Sequence, residues 1–299
     1  METKRIIRLL IIIFAFLTLF FGYLYIREYK NKNTLSEDFL KLAVENLELN
    51  GIKVEENALL REVPDKNLYV FSRSDENSYY ENITKNVIDA LYGSNVMSAF
   101  FDVPDGAAFG LYEKNDFDRE LGRIVFSALD MSFVFTKNLV NVNGGEEIIY
   151  SGDVSVLDDE IVNKIETLAQ SLNNKGNMSY RISGVSGEDE LFVVSVLQTV
   201  DGCDINNCYM NFVCNADGIV KLYGKWIPEE PKAMYHEVLC DGVNALYKLN
   251  INNVTKVLSE NVVYAMRRLE EEKYYLLPVW EIEYIDSESN VVREYVEAI

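Results

Sequence analysis

The sequence is short of the residues that most catalytic and nucleic-acid-binding sites require. Lys and Arg total 28 against 48 Asp and Glu, and the formal net charge is -20. Such a surface repels phosphate backbones, whose binding needs clustered Lys and Arg. His236 is the single histidine, so Ser-His-Asp, Cys-His and HExxH arrangements would all depend on one side chain. We therefore expect no nucleic-acid partner, no cofactor and no enzymatic activity.

Cysteine is also scarce, and its spacing does not suit a metal. None of the four cysteines forms a CxxC pair, which argues against a zinc site. Cys203 and Cys208 are close enough in sequence to bridge across a turn, so they are the first candidates for a disulfide. The alternative is that the cysteines are small buried side chains, the commoner use of this residue.

Near the N-terminus the sequence has one long apolar run. Residues 9–26 carry no charge and, at about 1.5 Å per helical residue, would reach about 27 Å, close to the thickness of a bilayer core. The run ends in bulky residues, unlike a cleaved signal peptide. The pattern predicts a single-pass signal anchor in the cell membrane. Residues 1–8 would form a cytoplasmic stub, residues 27–33 a linker, and the bulk of the chain would lie outside the cytoplasm.

Small side chains share one face of this predicted helix. Ala15, Thr18 and Gly22 follow helical spacing, and small residues on one face let a second membrane helix approach closely. The sequence therefore indicates a helix-docking face, although a helix of this length also contains a few small residues by chance.

The rest of the chain alternates helical and strand-like patterns. A capping box from Thr34 to Glu37 starts the first helix, and aromatic and β-branched stretches separated by turn residues follow. A helix followed by antiparallel strands recurs, giving a membrane-proximal domain at 34–150 and further units at 151–228 and 229–299. The predicted fold class is α+β, with repeated helix-plus-meander units of PepSY-like layout after one transmembrane helix.

Within residues 150–299, an ordered set of residues resembles a known family. Gln198, Gly218 and Trp226 follow one another as a strand glutamine, a turn glycine and a strand-ending tryptophan. Further along come Tyr264 and a Pro278-Val279-Trp280 strand. This order resembles the YycI and YycH regulatory proteins of Gram-positive bacteria. The sequence departs from them in its VREYVEAI stretch, where the family commonly has an Asn-Ala-x-Thr-Gly turn.

The resemblance implies a regulatory role. It suggests a non-enzymatic accessory of a membrane sensor histidine kinase in a two-component system that governs the cell wall, with the kinase or a paralogous accessory protein as partner. One alternative is a PepSY-type binding or inhibitory module with another partner. A second is a cell-wall hydrolase that uses two of the abundant carboxylates.

The alternation around Trp280 predicts a structural role for this residue. As a strand, LLPVWEIEY puts Leu276, Pro278, Trp280 and Ile282 on the more apolar face. Pro278 cannot donate a hydrogen bond, so it should lie at the start of the strand or on an edge. We expect Trp226, Pro278 and Trp280 to pack in a core.

Overall fold

The protein is described by a computed structural model. The described residues are 17–23, 34–55, 57–72, 76–137, 159–172, 176–188, 191–215, 218–227, 230–249, 253–270 and 273–298.

Four helices follow residue 34 in the described part of the chain: α1 (Glu37–Leu49), α2 (Glu76–Leu91), α3 (Asp159–Leu172) and α4 (Gly242–Lys248). A short 3-10 helix spans Gly93–Asn95. The cap of α1 is Ser36, whose Oγ accepts a hydrogen bond from the Phe39 N–H at 3.2 Å. The helix therefore starts two residues later than the capping box predicted, and Thr34 is not its cap. Instead, Thr34 forms an isolated bridge with Glu62.

The strands are, in chain order, β1 (Lys53–Val54), β2 (Asp65–Ser72), β3 (Val96–Val103), β4 (Gly106–Glu113), β5 (Asp116–Ser127), β6 (Ser132–Lys137), β7 (Met178–Glu188), β8 (Leu191–Val200), β9 (Cys203–Asn215), β10 (Gly218–Lys225), β11 (Lys232–Val238), β12 (Val254–Glu270), β13 (Lys273–Asp286) and β14 (Val291–Glu297).

These strands form a 14-stranded mixed sheet. Its main order is β11-β2-β13-β12-β9-β10-β6-β5-β4-β3, with β1, β7, β8 and β14 paired off this path. The runs β3 to β6 and β7 to β10 are antiparallel meanders. In contrast, β12 pairs in parallel with both β1 and β9. Strands distant in sequence are thereby joined.

The predicted fold class is corrected by this topology. The described residues are mostly β-sheet, with 56% strand and 26% helix, and their strands join one large sheet rather than repeated helix-plus-meander units. The helix expected at the start of the unit at 229–299 shows why the prediction failed. The apolar spacing through Tyr235, Leu239 and Leu246 suggested one helix, but residues 232–238 form β11 and the helix is confined to Gly242–Lys248. The expected boundaries near residues 150 and 228 lie outside the described residues.

The predicted membrane anchor and localisation are also corrected. In the part of the chain that the structure describes, no helix is both long and apolar enough to cross a membrane. Of the predicted span, residues 17–23 are described. They are helical. The rest of the span, the stub and the linker lie outside the described residues.

The chain divides into two compact units. Unit 1 comprises 1–67, 236–262 and 278–299, and unit 2 comprises 68–235 and 263–277. The core of unit 1 contains Leu47, Leu246, Trp280 and Ile282. The core of unit 2 is larger and more aromatic, and it includes one face of α2, the apolar stripe of α3 and the inward side chains of β4 to β10.

Candidate binding surface

The residues behind the family resemblance are mostly buried structural residues. Gln198 is fully buried and exchanges two hydrogen bonds with Ile227: its Nε2 donates to the carbonyl at 2.7 Å, and its Oε1 accepts from the N–H at 2.9 Å. The neighbouring Trp226 is also fully buried. Gly218 has φ +106° at the turn into β10, a conformation that favours glycine.

In unit 2, Tyr264 packs against Tyr69. Their rings meet edge to face with centroids 5.7 Å apart, and the Tyr69 hydroxyl donates to Asp201. Burial raises the pKa of Tyr264, with the neighbouring Tyr69 and Asp201 acting in the same direction, so its hydroxyl stays protonated at ordinary pH. Tyr264 is thus held as a neutral core residue.

Trp280 is fully buried in unit 1, and its Nε1 donates to the Cys240 carbonyl at 2.9 Å. Pro278 lies inside β13, after the stretch that pairs with β2 and before the stretch that pairs with β14. The missing N–H of the proline is therefore not needed in either of these pairings.

The remaining predicted site residues do not come together. Thr18 and Gly22 are exposed on the helical stretch 17–23, and Ala15 lies outside the described residues. Cys203 and Cys208 are free thiols on the same strand, β9. At about 3.3 Å per strand residue they are roughly 15 Å apart, whereas a disulfide needs Cα atoms within about 7 Å.

A different set of residues forms an exposed surface in unit 2. Register partners across five neighbouring strands place in one line Phe101 of β3, Ala108 of β4, Val125 of β5, Val134 of β6 and Tyr223 of β10. We call these five residues the outer row. Their strand neighbours point to the opposite face, where the helices lie, and on β4, β5, β6 and β10 these neighbours are buried.

Three apolar residues of the outer row are open to solvent, whereas Ala108, which lies between two of them, is buried. Phe101 is 42% exposed, Val125 43% and Val134 38%. Isolated exposed apolar side chains are common on protein surfaces, but adjacent ones on neighbouring strands form a continuous patch. Such patches mark interaction sites.

Cations stack on the aromatic rings at both ends of the row. The Arg123 guanidinium carbon lies 5.8 Å from the centroid of the Phe101 ring, and the Lys221 ammonium lies 5.2 Å from that of Tyr223. Arg123 also forms an ion pair with Glu120 at 2.8 Å. These contacts hold the Phe101 and Tyr223 rings in place at the two ends of the row. Arginine and aromatic side chains are enriched in protein interfaces.

Two surface clefts adjoin the row. A cleft of ≈ 320 Å³ has Val125 and Val134 in its lining, and one of ≈ 230 Å³ has Val134, Tyr223 and Lys225. Both are at or below the lower end of the range for small-molecule sites, about 300–1,000 Å³. They suit single side chains of a polypeptide better than a whole small ligand.

The sequence contains a signal for this surface. Ile124-Val125-Phe126 and Phe133-Val134-Phe135 are uninterrupted apolar runs, and Phe100-Phe101 is an apolar pair. Since successive strand residues point to opposite faces, such runs predict a sheet with apolar side chains on both faces.

Unit 1 contains one carboxyl group with a strongly altered environment. Glu260 is 2% exposed; its Oε2 accepts from the Leu60 N–H at 3.2 Å, and its Oε1 has no hydrogen-bond partner. Burial raises the pKa of Glu260 to about 7, with Asp241 adding to the effect and the Leu60 N–H opposing it. The protonation state suits a general acid, but the group is too enclosed to reach a substrate.

In the described part of the chain, no group of three or more His, Cys, Asp or Glu side chains could hold a metal.

No family model and no curated protein matches the sequence. Among solved structures, the chain is similar to an uncharacterized protein from Eubacterium rectale ATCC 33656, with 11% identity and TM-score 0.44 over 82% of this chain and 85% of that one. It is also similar to the C-terminal domain of YpeB from Bacillus megaterium, with 11% identity and TM-score 0.37 over 76% and 94%. No match supports the YycI and YycH family itself. Because both TM-scores are below 0.5, neither likeness carries an argument about function.

Proposed function

We propose that this chain is a non-enzymatic regulatory module that binds a partner protein through the outer row. The observation that supports the proposal most is the exposure of the apolar residues Phe101, Val125 and Val134 in the outer row, with an aromatic ring and a stacked cation at each end of that row. A partner that covers this line removes apolar surface from water, at about 25 cal/mol for each Å² buried.

The proposed partner is the sensor histidine kinase of a two-component system, or a paralogous accessory protein in complex with it. This choice comes from the resemblance of the ordered residues Gln198 to Trp280 to kinase-regulating proteins. The surface supports a polypeptide partner because its clefts fit side chains, which insert into pockets at the centre of an interface. Binding at this surface would regulate the kinase without any chemical step in the chain itself.

The experiment is affinity purification of the full chain from its own cells, compared with two variants. Val125→Lys combined with Val134→Lys puts two charges in the middle of the outer row, where both side chains are already exposed. Val291→Lys on β14 is the matched control, since Val291 is 63% exposed and lies in unit 1. We expect a sensor histidine kinase with the parent and the control, and its loss with the double variant.

Thermal unfolding of each variant checks that the fold is kept. Failure to recover a kinase, or its equal recovery with the double variant, would contradict the proposal. A different protein lost only with the double variant would show a binding module with another partner.

A further inference from the structure

The open side of β3 extends the outer row to an edge of the sheet. β3 is the terminal strand of the main order, and all eight of its residues pair with β4 in one continuous register. The strand therefore has no bulge. An edge of this kind is a template for a further strand.

The hydrogen-bond pattern shows which backbone groups face the open side. The Lys114 N–H donates to the Asn95 carbonyl at 2.9 Å, one step beyond the Val96–Glu113 pair. Because bonded pairs alternate along antiparallel strands, Met97, Ala99 and Phe101 bond to β4. The N–H and C=O groups of Val96, Ser98, Phe100 and Asp102 then point away from the sheet.

Among the described strands, two of the others with a single neighbour, β7 and β14, are protected, and β3 is not. The register of β7 with β8 is broken by an irregularity between Ile182 and Gly184. β14 carries the charged residues Arg293, Glu294 and Glu297. Bulges and charges are the usual defences of an edge. In β3, Asp102 is the single charge.

Aromatic side chains flank the open edge on both faces. Phe100 is 56% exposed on the side facing the helices, with its ring 5.4 Å from that of Phe109, and Phe101 is exposed on the outer row. An added strand would place alternate side chains beside each phenylalanine. Aromatic cross-strand contacts of this kind stabilise sheets by about 0.2–1 kcal/mol each.

Carboxylates at both ends of the edge indicate the charge of the occupant. Asp102 and Asp105 are exposed at one end, and Glu113 and Asp116 at the other, where Lys114 is the cation of that turn. The whole chain is strongly acidic as well. Complementary charge steers partners and sets register, so the occupant should carry basic residues at its ends.

We propose that an extended partner segment, apolar or aromatic in the middle and with Lys or Arg at both ends, adds to the sheet as a strand along β3. This proposal rests on the proposed function and deepens it, because the added strand continues the outer row beyond Phe101. The backbone of the segment bonds to the free groups from Val96 to Asp102, and its side chains contact Phe100 and Phe101.

The test uses two synthetic peptides, Lys-Lys-Val-Phe-Val-Phe-Val-Lys-Lys and the same peptide with Glu in place of every Lys, titrated into the full chain by fluorescence anisotropy. We expect the lysine peptide to bind at least about tenfold more tightly than the glutamate peptide. Ser98→Pro removes one outward N–H without removing a bond to β4, and we expect it to weaken binding about tenfold. Ser98→Ala keeps the backbone and should bind as the parent does.

Equal binding by Ser98→Pro and Ser98→Ala, or equal binding of the two peptides, would overturn strand addition. If Ser98→Pro unfolds, the double variant Asp102→Lys with Asp105→Lys tests strand addition instead. We expect this variant to bind the lysine and glutamate peptides equally, and a preserved preference for the lysine peptide would overturn the proposal. Kinase capture that depends on Val125 and Val134 but is unchanged by these β3 variants would overturn strand addition alone. Peptide binding at β3 without any kinase capture would overturn the kinase proposal alone.

Discussion

The two units each bury one tryptophan, but they treat its polar edge differently. In unit 1, the Trp280 Nε1 donates to the Cys240 carbonyl. In unit 2, the Trp226 Nε1 has no hydrogen-bond partner. Two other buried polar side chains show the reverse: Gln198 in unit 2 has bonds at both ends of its amide, whereas Glu260 in unit 1 leaves one oxygen unpaired. The cost of changing a buried residue should therefore follow its partners as well as its burial.

We expect the largest effect from Trp280→Ala. A buried Trp→Ala change costs about 3–5 kcal/mol, and the Cys240 carbonyl also loses its donor. Denaturant unfolding of the full chain measures this, since the core around Trp280 includes Leu47 from the first stretch of unit 1. An unchanged free energy of unfolding together with lost partner binding would show that Trp280 is a recognition residue.

Gln198→Leu should come next, at roughly 3 kcal/mol, because it leaves both the N–H and the carbonyl of Ile227 buried without partners. Leucine fills a similar volume, so most of the loss would reflect hydrogen bonding. The matched change Gln198→Glu keeps an acceptor for the Ile227 N–H. A loss below about 1 kcal/mol for Gln198→Leu would mean that water or a rearranged side chain replaces the amide.

Glu260 should make unit 1 less stable as pH rises. Its folded pKa of about 7 lies above the ordinary pKa of 4.5 for a free glutamate side chain. Between these values the folded state holds a proton that the unfolded state has released, so stability falls with rising pH and levels off above about 7. At pH 8, Glu260→Gln should therefore be more stable than the parent by up to roughly 3 kcal/mol.

The quantity to measure is the difference in free energy of unfolding between Glu260→Gln and the parent at each pH, because the other titrating groups are common to both proteins and cancel. Glu283→Gln, at a less buried position on β13, serves as the control. A difference that stays constant from pH 4 to pH 8 would contradict the altered pKa of Glu260.

The smallest expected effect is the difference in cost between the same substitution, Trp→Phe, at Trp280 and at Trp226. Phenylalanine removes volume at both sites, but only Trp280→Phe leaves a carbonyl without its donor. We expect Trp280→Phe to cost about 1 kcal/mol more than Trp226→Phe in the free energy of unfolding. Equal costs would mean that the Trp280 hydrogen bond contributes nothing net.

Local patterns in the sequence predicted local elements well. The amphipathic stripes identified α1 to α3, and the alternation around Trp280 identified a buried strand residue. The failures came from long-range pairing. The parallel contacts of β12 with β1 and β9 join strands far apart in sequence, and nothing in the spacing of apolar residues encodes them. The same applies to β11, whose apolar positions fit a helix until pairing with β2 is known.

The candidate surface was missed for a related reason. Hydrophobic runs show that a strand is apolar on both faces, but not whether another element covers the second face. Val125 and Phe126 are equally apolar in sequence, yet one is exposed and the other is buried. Only the placement of the helices on one side of β3 to β6 distinguishes them.

The discontinuous path of unit 1 has a consequence for how the protein is made. Its core combines Leu47 and Ile52, near the beginning of the sequence, with Trp280 and Ile282, more than two hundred residues later. Contacts of such long sequence separation form slowly and only after the intervening chain exists. During synthesis, α1 emerges with its apolar stripe uncovered and has to wait for β13 and β14. Nascent chains should therefore depend on chaperones most while unit 1 is incomplete.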